Sequence, residues 1–329
     1  MSQWDFTQEC CDIATLPLPW EKLKGKRIFL TGATGFIVGY LAKALCWLNN
    51  ELTLDLKLSL FHRDGTVPAF SASGVQWVGG EITGDFLPED FCPDIIIHGA
   101  SPANKRMIYA DPVGVVNCNI LAVRYLLECA RRNGSTLVFF SSGEVYQRES
   151  KRITEKSTHD LAQSRSLSLY GNSKLAGELL CEKYEKYGVD YRILRPFSVF
   201  GPGESLMSGR CFTDFIRQAL ETHTIRIDDS STQIRSYCYL SDFVSGLLYV
   251  LLCGECTAYN MGNEDNTSSI LELAQKMAQI CGKTEVIGPL SAGGQVDCFL
   301  PDTTKLRKLG WRPQVDLQDC IKRCLDSYR

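Results

Sequence analysis

Short apolar runs alternate with longer stretches of helical periodicity along most of this chain. Runs rich in Ile, Leu, Val and Phe at 27–31, 56–61, 75–78, 94–98, 136–141 and 191–195 have the length of buried strands. Between them, 36–48, 113–132 and 168–187 carry apolar residues at helical spacing. In the first of these, Tyr40, Leu41, Ala44, Leu45 and Leu48 share one side. Such alternation predicts an α/β fold with a doubly wound parallel sheet. After Phe200 the pattern loosens, and a smaller C-terminal lobe is expected there. Residues 1–25, with Pro17 and Pro19, read as an N-terminal helix and a stiff strap. The main domain is expected over 26–200 and 236–265, the smaller lobe over 201–235 and 266–329. A helix around Ser269–Cys281 belongs to that latter part.

Composition narrows the class. With 329 residues, 44% hydrophobic and 22% charged, the chain can bury one large core or two unequal ones. A net charge of -3 leaves no footprint for nucleic acid. The longest uninterrupted apolar runs are far short of a membrane span. Met1–Glu9 is polar and acidic, without a secretory apolar core, so a cytoplasmic location is expected. Fifteen cysteines scattered through predicted helices and strands read as reduced, small apolar residues. Cys253 and Cys256 have redox or zinc spacing, but no second pair or histidine cluster accompanies them, and no metal is expected.

Two motifs carry chemistry. The run Arg27–Leu30 enters Thr31-Gly32-Ala33-Thr34-Gly35-Phe36-Ile37-Val38-Gly39, which opens the first predicted helix. In that context glycines let backbone approach a pyrophosphate, and the helix N-terminus offers N–H groups and positive dipole. Further on, Tyr170 and Lys174 lie four residues apart on one helix face. A neighbouring cation favours the phenolate, which is expected to bring the phenol toward neutrality as a base for an alcohol hydroxyl.

Together these motifs resemble the extended short-chain dehydrogenase/reductase family, the nucleotide-sugar epimerases, dehydratases and decarboxylases, from about Lys24 to about Ile321. The resemblance includes Ile95–Ser101, Asn119 with Leu126-Leu127-Glu128, Phe139–Tyr146, Leu194–Gly203, Thr232–Arg235, Tyr239–Asp242 and Tyr259–Asn263. It implies a dinucleotide-binding Rossmann domain with a nucleotide-sugar-binding lobe, NAD as cofactor and a nucleotide-diphosphate sugar as substrate. It also implies a homodimer formed through the helix bearing Tyr170 and the one beginning near Val113. Residue by residue, it implies Ser142, Glu144, Tyr170 and Lys174 as catalytic. Gly32, Thr34, Gly35, Phe36, Ile37, Arg63, Ala100, Ser101, Asn119, Ser141, Pro196 and Val199, with Tyr170 and Lys174, would hold the cofactor. Ser198, Arg210, Phe212 and Arg235 would hold the substrate, the arginines at the diphosphate and Phe212 against the base.

The departures matter as much. Val38 replaces the third glycine of the turn, with Gly39 one place later. At the second strand end, Arg63 suits a 2′-phosphate whereas Asp64 suits a free 2′-hydroxyl, so NADP stays open beside NAD. Ser198 replaces an asparagine common in that loop. Glu144, two residues after Ser142, is expected on the same side by strand alternation, as a base beside a transient C4 ketone. Gly143 stands where dehydratases place an aspartate, and Phe299 where decarboxylases of UDP-glucuronate place an arginine. Epimerisation, dehydration and decarboxylation therefore all remain open, as does a catalytically silent dinucleotide-binding protein.

Overall fold

The structure, a computed structural model, describes residues 4–63, 71–82, 87, 91–147, 152–157, 159, 167–227, 233–288 and 298–328. Asp64 and Thr232 lie outside the described residues. The central sheet has seven parallel strands: β1 (Arg27–Thr31), β2 (Lys57–His62), β3 (Val75–Gly79), β4 (Ile95–His98), β5 (Thr136–Phe140), β6 (Asp190–Pro196) and β7 (Ala258–Met261). Their spatial order is β7-β6-β5-β4-β1-β2-β3, with the reversal between β1 and β4. This is the doubly wound arrangement, and ligands bind such sheets at the strand carboxyl ends near the reversal.

Strand alternation divides the core in two. Ile28, Leu30, Ile95, Ile97, Val138 and Phe140 join one apolar cluster, while Phe29, Ile96, Leu137 and Phe139 join the other. Helices α2 (Phe36–Glu51) and α6 (Leu240–Cys253) cover the first face; α3 (Ala122–Asn133) and α4 (Leu167–Tyr184) cover the second. In α6 every residue from Leu240 to Leu252 is buried, because the helix lies between the sheet and an outer layer. That layer includes α1 (Phe6–Ala14), capped by Asp5. Glu9 of α1 is buried and accepts hydrogen bonds from Tyr40 and Tyr239 at 2.7 Å and from Arg323 at 3.2 Å. One carboxylate thus ties the N-terminal helix to three separate elements.

A third cluster gathers Phe200, Phe212, Ile216, Leu273, Met277, Ile321 and Leu325 around α5 (Cys211–Glu221), α7 (Ile270–Cys281) and α8 (Leu317–Tyr328). Ser269 and Glu272 form a capping box at the start of α7. Leu306 and Trp311 depart from the expected division: they pack in the first cluster, where Trp311 Nε1 donates to Asp242 O and Ser245 Oγ. An indole needs both apolar surroundings and an acceptor, and α6 supplies them.

Two further expectations change. The segment 113–132 is not one continuous α-helix. Between Pro112–Val116 and α3, residues Asn117–Leu121 form a π-helical turn. The apolar periodicity runs through that turn unbroken, so nothing in the spacing marks it. The combined stretch Pro112–Asn133 also has the length and mean hydropathy, 1.4, of a membrane-crossing helix, although no uninterrupted apolar run does. Part of it packs on α4 and the sheet, with Val123, Leu126, Leu127 and Ala130 fully buried.

Candidate active site

The carboxyl end of β1 leads into the glycine turn, and Gly35 is the N-cap of α2 with no side chain capping it. The first N–H groups of α2 therefore point outward beside half-buried Phe36 and Ile37 and exposed Thr34. Gly32 has φ +82°, and a Cβ there would lie 2.8 Å from the backbone of Gly99 and Ala100. Such a bare, donor-rich cradle fits a dinucleotide pyrophosphate. Val38, in place of the third glycine, is accommodated from the opposite side: a Cβ on Gly99 would meet Val38 Cγ2 at 2.4 Å. The lost glycine of the turn has a counterpart at the end of β4. Gly99→Ala is expected to cost about 1–3 kcal/mol by overpacking. Val38→Ala in the same chain should return most of it, as measured by urea unfolding.

Lys174 is buried and its Nζ donates to Phe140 O at 2.7 Å, 5.7 Å from the ring centroid of Tyr170. Burial pushes the ammonium down to about 7. Tyr170 hydrogen-bonds Ser142, which favours its phenolate, yet burial is the larger effect and the phenol stands at about 12. The carboxylate of Glu144 adds to that rise and Arg210 opposes it. The expected drop of Tyr170 toward neutrality is therefore not met by the protein alone, because burial outweighs the polar contacts.

Glu144 reaches this site by a different route from strand alternation. β5 ends at Phe140, and Gly143–Val145 is a single 3₁₀ turn capped by Ser142, whose Oγ accepts from Glu144 N at 3.1 Å. Glu144 is exposed, close enough to Tyr170 to shift its ionisation.

Behind these groups lies a buried scaffold. Asn119, in the π turn, donates to Ser173 Oγ at 2.9 Å, and Ser173 donates to Tyr170 O at 2.8 Å. The Oδ1 of Asn119 is buried with no hydrogen-bond partner. His98 is held neutral, pushed down to about 3 by burial and by Lys174. Its Nε2 lies 2.8 Å from Cys118 O and its Nδ1 2.6 Å from Thr31 Oγ1, an arrangement that ties β1 to the π turn. Ser141 donates to Glu178, so its hydroxyl is turned into the protein rather than toward a cofactor. Glu178 pairs with Arg195 through Nε at 2.9 Å and Nη2 at 2.5 Å. Arg195 also donates to Tyr146, which donates to Asn260 Oδ1 at 2.8 Å. Glu178 follows Lys174 by four residues, so its spacing was visible in the sequence, but its partners were not.

The remaining residues are less uniform. Ala100 and Ser101 lie at the β4 end and Pro196 closes β6, half-buried. Val199 is buried in the first cluster, and its carbonyl accepts from Arg210 at 2.7 Å. Ser198 adopts φ +38°, a left-handed conformation that asparagine tolerates better. Arg210 also pairs with buried Glu204 at 3.1 Å. Arg235 donates to Ile234 O and Gln233 Oε1 and lies over the Phe299 ring, 6.0 Å from its centroid. Arg63 is exposed just after β2. Phe212 is a correction: it is buried against Phe200, 3.9 Å between centroids, and presents no face for a base. Its place on the inward side of α5 explains this, since the helix uses that stripe for the lobe core. Among the described residues no group of three or more His, Cys, Asp or Glu could hold a metal.

This combination of cradle, capped turn and Tyr-Lys helix coincides with a family match. The model of the NAD dependent epimerase/dehydratase family matches residues 28–262. The chain belongs to that family. UDP-glucuronic acid decarboxylase 1 of Xenopus tropicalis is 28% identical over 313 residues, covering 92% of this chain and 72% of that protein. The structure of UDP-glucuronic acid 4-epimerase from Bacillus cereus in complex with UDP-glucuronic acid and NAD is 26% identical, with TM-score 0.74 over 92% of this chain and 98% of that one. DesIV from Streptomyces venezuelae, a dTDP-glucose 4,6-dehydratase with NAD and TYD bound, shares the fold at 23% identity and TM-score 0.77, covering 92% and 97%. The chain is thus an NAD-dependent enzyme of the epimerase/dehydratase family, and the catalytically silent reading is set aside.

Proposed function

We propose that this enzyme acts on a nucleotide-diphosphate sugar through a transient 4-keto intermediate, as an epimerase or dehydratase. The observation that carries the reading is the hydroxyl pair Ser142–Tyr170 set against buried Lys174, whose Nζ donates to Phe140 O at the carboxyl end of β5. Gly32, Gly35 and the start of α2 would hold the pyrophosphate of NAD, with Ala100 and Ser101 beside it. Bound NAD supplies the acceptor, and later the donor, for the hydride of the sugar carbinol. Ser142 holds the carbinol oxygen while Tyr170, as phenolate, takes its proton and afterwards returns it. Glu144 would remove a proton from the carbon next to the ketone. Arg210 and Arg235 would grip the diphosphate.

A second reading, decarboxylation of UDP-glucuronate, is favoured by the curated relatives, which include decarboxylases from Xenopus tropicalis and Arabidopsis thaliana. One panel separates the readings: UDP-, dTDP-, GDP- and CDP-sugars incubated with enzyme and NAD in deuterated water. An unchanged skeleton with inverted C4 marks epimerisation, loss of water dehydration, and release of CO₂ decarboxylation. Where solvent deuterium enters C3 or C5, Glu144→Gln is expected to slow the exchange about 10²–10⁴-fold. No change in any sugar would overturn the proposal.

We also propose a homodimer. Val113 and Leu121 near the π turn and Leu179 on the adjoining α4 are large apolar residues left 66%, 45% and 49% exposed, an apolar patch of the kind that marks an interface. Leu121→Glu combined with Leu179→Glu is expected to give a monomer by light scattering where the parent gives a dimer. A monomeric parent would contradict this.

A further inference from the structure

Arg210, the N-cap of α5, is held from behind. Its backbone is fixed by Ser208, whose Oγ accepts from Arg210 N at 3.4 Å, and by Thr213, whose Oγ1 donates to Arg210 O at 3.0 Å. In the guanidinium, Nη1 donates to Val199 O at 2.7 Å and to Glu204 Oε1 at 3.1 Å. Among the described residues Nε and Nη2 donate to no group. They form the edge that meets an anion with two parallel hydrogen bonds. The Arg210 side chain is 39% exposed, whereas that of Glu204 is 5% exposed. A buried carboxylate is costly unless it is paired. Glu204 Oε2 has no hydrogen-bond partner; burial pushes the ionisation of this carboxyl up, and Arg210 opposes that rise most. The Glu204 carbonyl in turn accepts from Tyr328 at the end of α8. Burial also raises the ionisation of Tyr170 and of Cys211. In each the Arg210 cation opposes it, joined at Cys211 by Arg235.

We propose that Glu204 is a positioning residue: by holding Nη1 it turns the Nε/Nη2 edge of Arg210 toward the diphosphate of the nucleotide sugar. This rests on the nucleotide-sugar reading above. A long side chain that must be ordered on binding loses rotamer freedom at that moment. Fixed beforehand by a carbonyl and a carboxylate, the guanidinium meets the anion already in place. The negative charge of Glu204 stays behind the cation, away from the edge the phosphates would use. Glu204 itself touches no reactant; it acts through Arg210.

The test is a double-mutant cycle read by titration calorimetry on the NAD-loaded enzyme, with UDP, dTDP, GDP and CDP as probes. For the nucleotide that binds best, Glu204→Ala is expected to weaken affinity about 10–100-fold, the scale on which misplacing a positioned group is felt. Affinity for NAD should not change. Glu204→Gln, which keeps an acceptor for Nη1, should restore most of the loss. In an Arg210→Ala background, adding Glu204→Ala should weaken binding no further, because the two act as one unit. A carboxylate that merely holds its loop would weaken binding again there. That result, or unchanged affinity in Glu204→Ala alone, overturns this inference and leaves the nucleotide-sugar reading standing. If none of the four diphosphates binds the parent, both fall. Should Glu204→Ala fail to fold, Glu204→Leu, closer to the parent in volume and unable to accept, carries the same comparison.

Discussion

Tyr170→Phe is expected to lower turnover of the productive nucleotide sugar by about 10²–10⁴-fold, the usual worth of a positioned acid–base group. The substitution removes one oxygen from a site whose cofactor cradle lies on other elements, so affinity for NAD should change little. The ionisation of this phenol provides a second readout. Burial holds it at about 12 and holds Lys174 at about 7, so near pH 8 the phenol keeps its proton in the protein alone. Oxidised nicotinamide carries a positive charge, and a nearby cation stabilises the phenolate and lowers the pKa. Binding of NAD⁺ should therefore move the ionisation of Tyr170 to lower pH, whereas NADH, lacking that charge, should not. The tyrosinate absorbance of the parent minus that of Tyr170→Phe, titrated against pH with NAD⁺ and with NADH, measures the difference. Unaltered turnover in that variant would remove Tyr170 from the chemistry.

Glu178→Ala should produce the largest loss of stability. It leaves Arg195, 3% exposed and 2.5 Å from its present partner, as a buried charge without its carboxylate, and takes the acceptor from Ser141. Breaking a buried pair from one side costs about 3–5 kcal/mol. Urea unfolding of the NAD-free protein should show a lower midpoint with a similar slope. Glu178→Gln, which keeps the shape and one acceptor, should lose less. An unchanged midpoint for Glu178→Ala would mean that Tyr146 and the carbonyl of Glu155, which also accept from Arg195, suffice to hold it.

Six of the seven strands were legible as short, mostly apolar runs, as with Phe29 against Ile28 and Leu30, whereas β7, Ala258-Tyr259-Asn260-Met261, is too short and mixed to stand out. Those strands lie where the runs are, within one or two residues. The glycine turn and the Tyr170–Lys174 pair were legible because their spacing is set by the chemistry they serve. What escaped depends on contacts between distant segments. Val38 looked like damage to the glycine turn until Gly99, 61 residues away, was seen to make room for it. Phe212 looked like a ligand because it follows Arg210, but the stripe of α5 that faces the lobe core claims it. The π turn at Asn117–Leu121 leaves no mark on apolar spacing. The ionisation of Tyr170 misled for a related reason: spacing reveals the neighbouring lysine but not how deeply both groups are buried.

The proposed chemistry requires a sugar carbinol to pass its hydride to NAD while Tyr170 takes its proton. Rapid mixing of the NAD-loaded enzyme with its nucleotide sugar, followed in the near-ultraviolet band of reduced nicotinamide, tests this most directly. A transient rise is expected, slowed when the sugar carries deuterium at C4 and absent in Tyr170→Phe. Turnover of the sugar with no such rise, and with no effect of deuterium at C4, would contradict it.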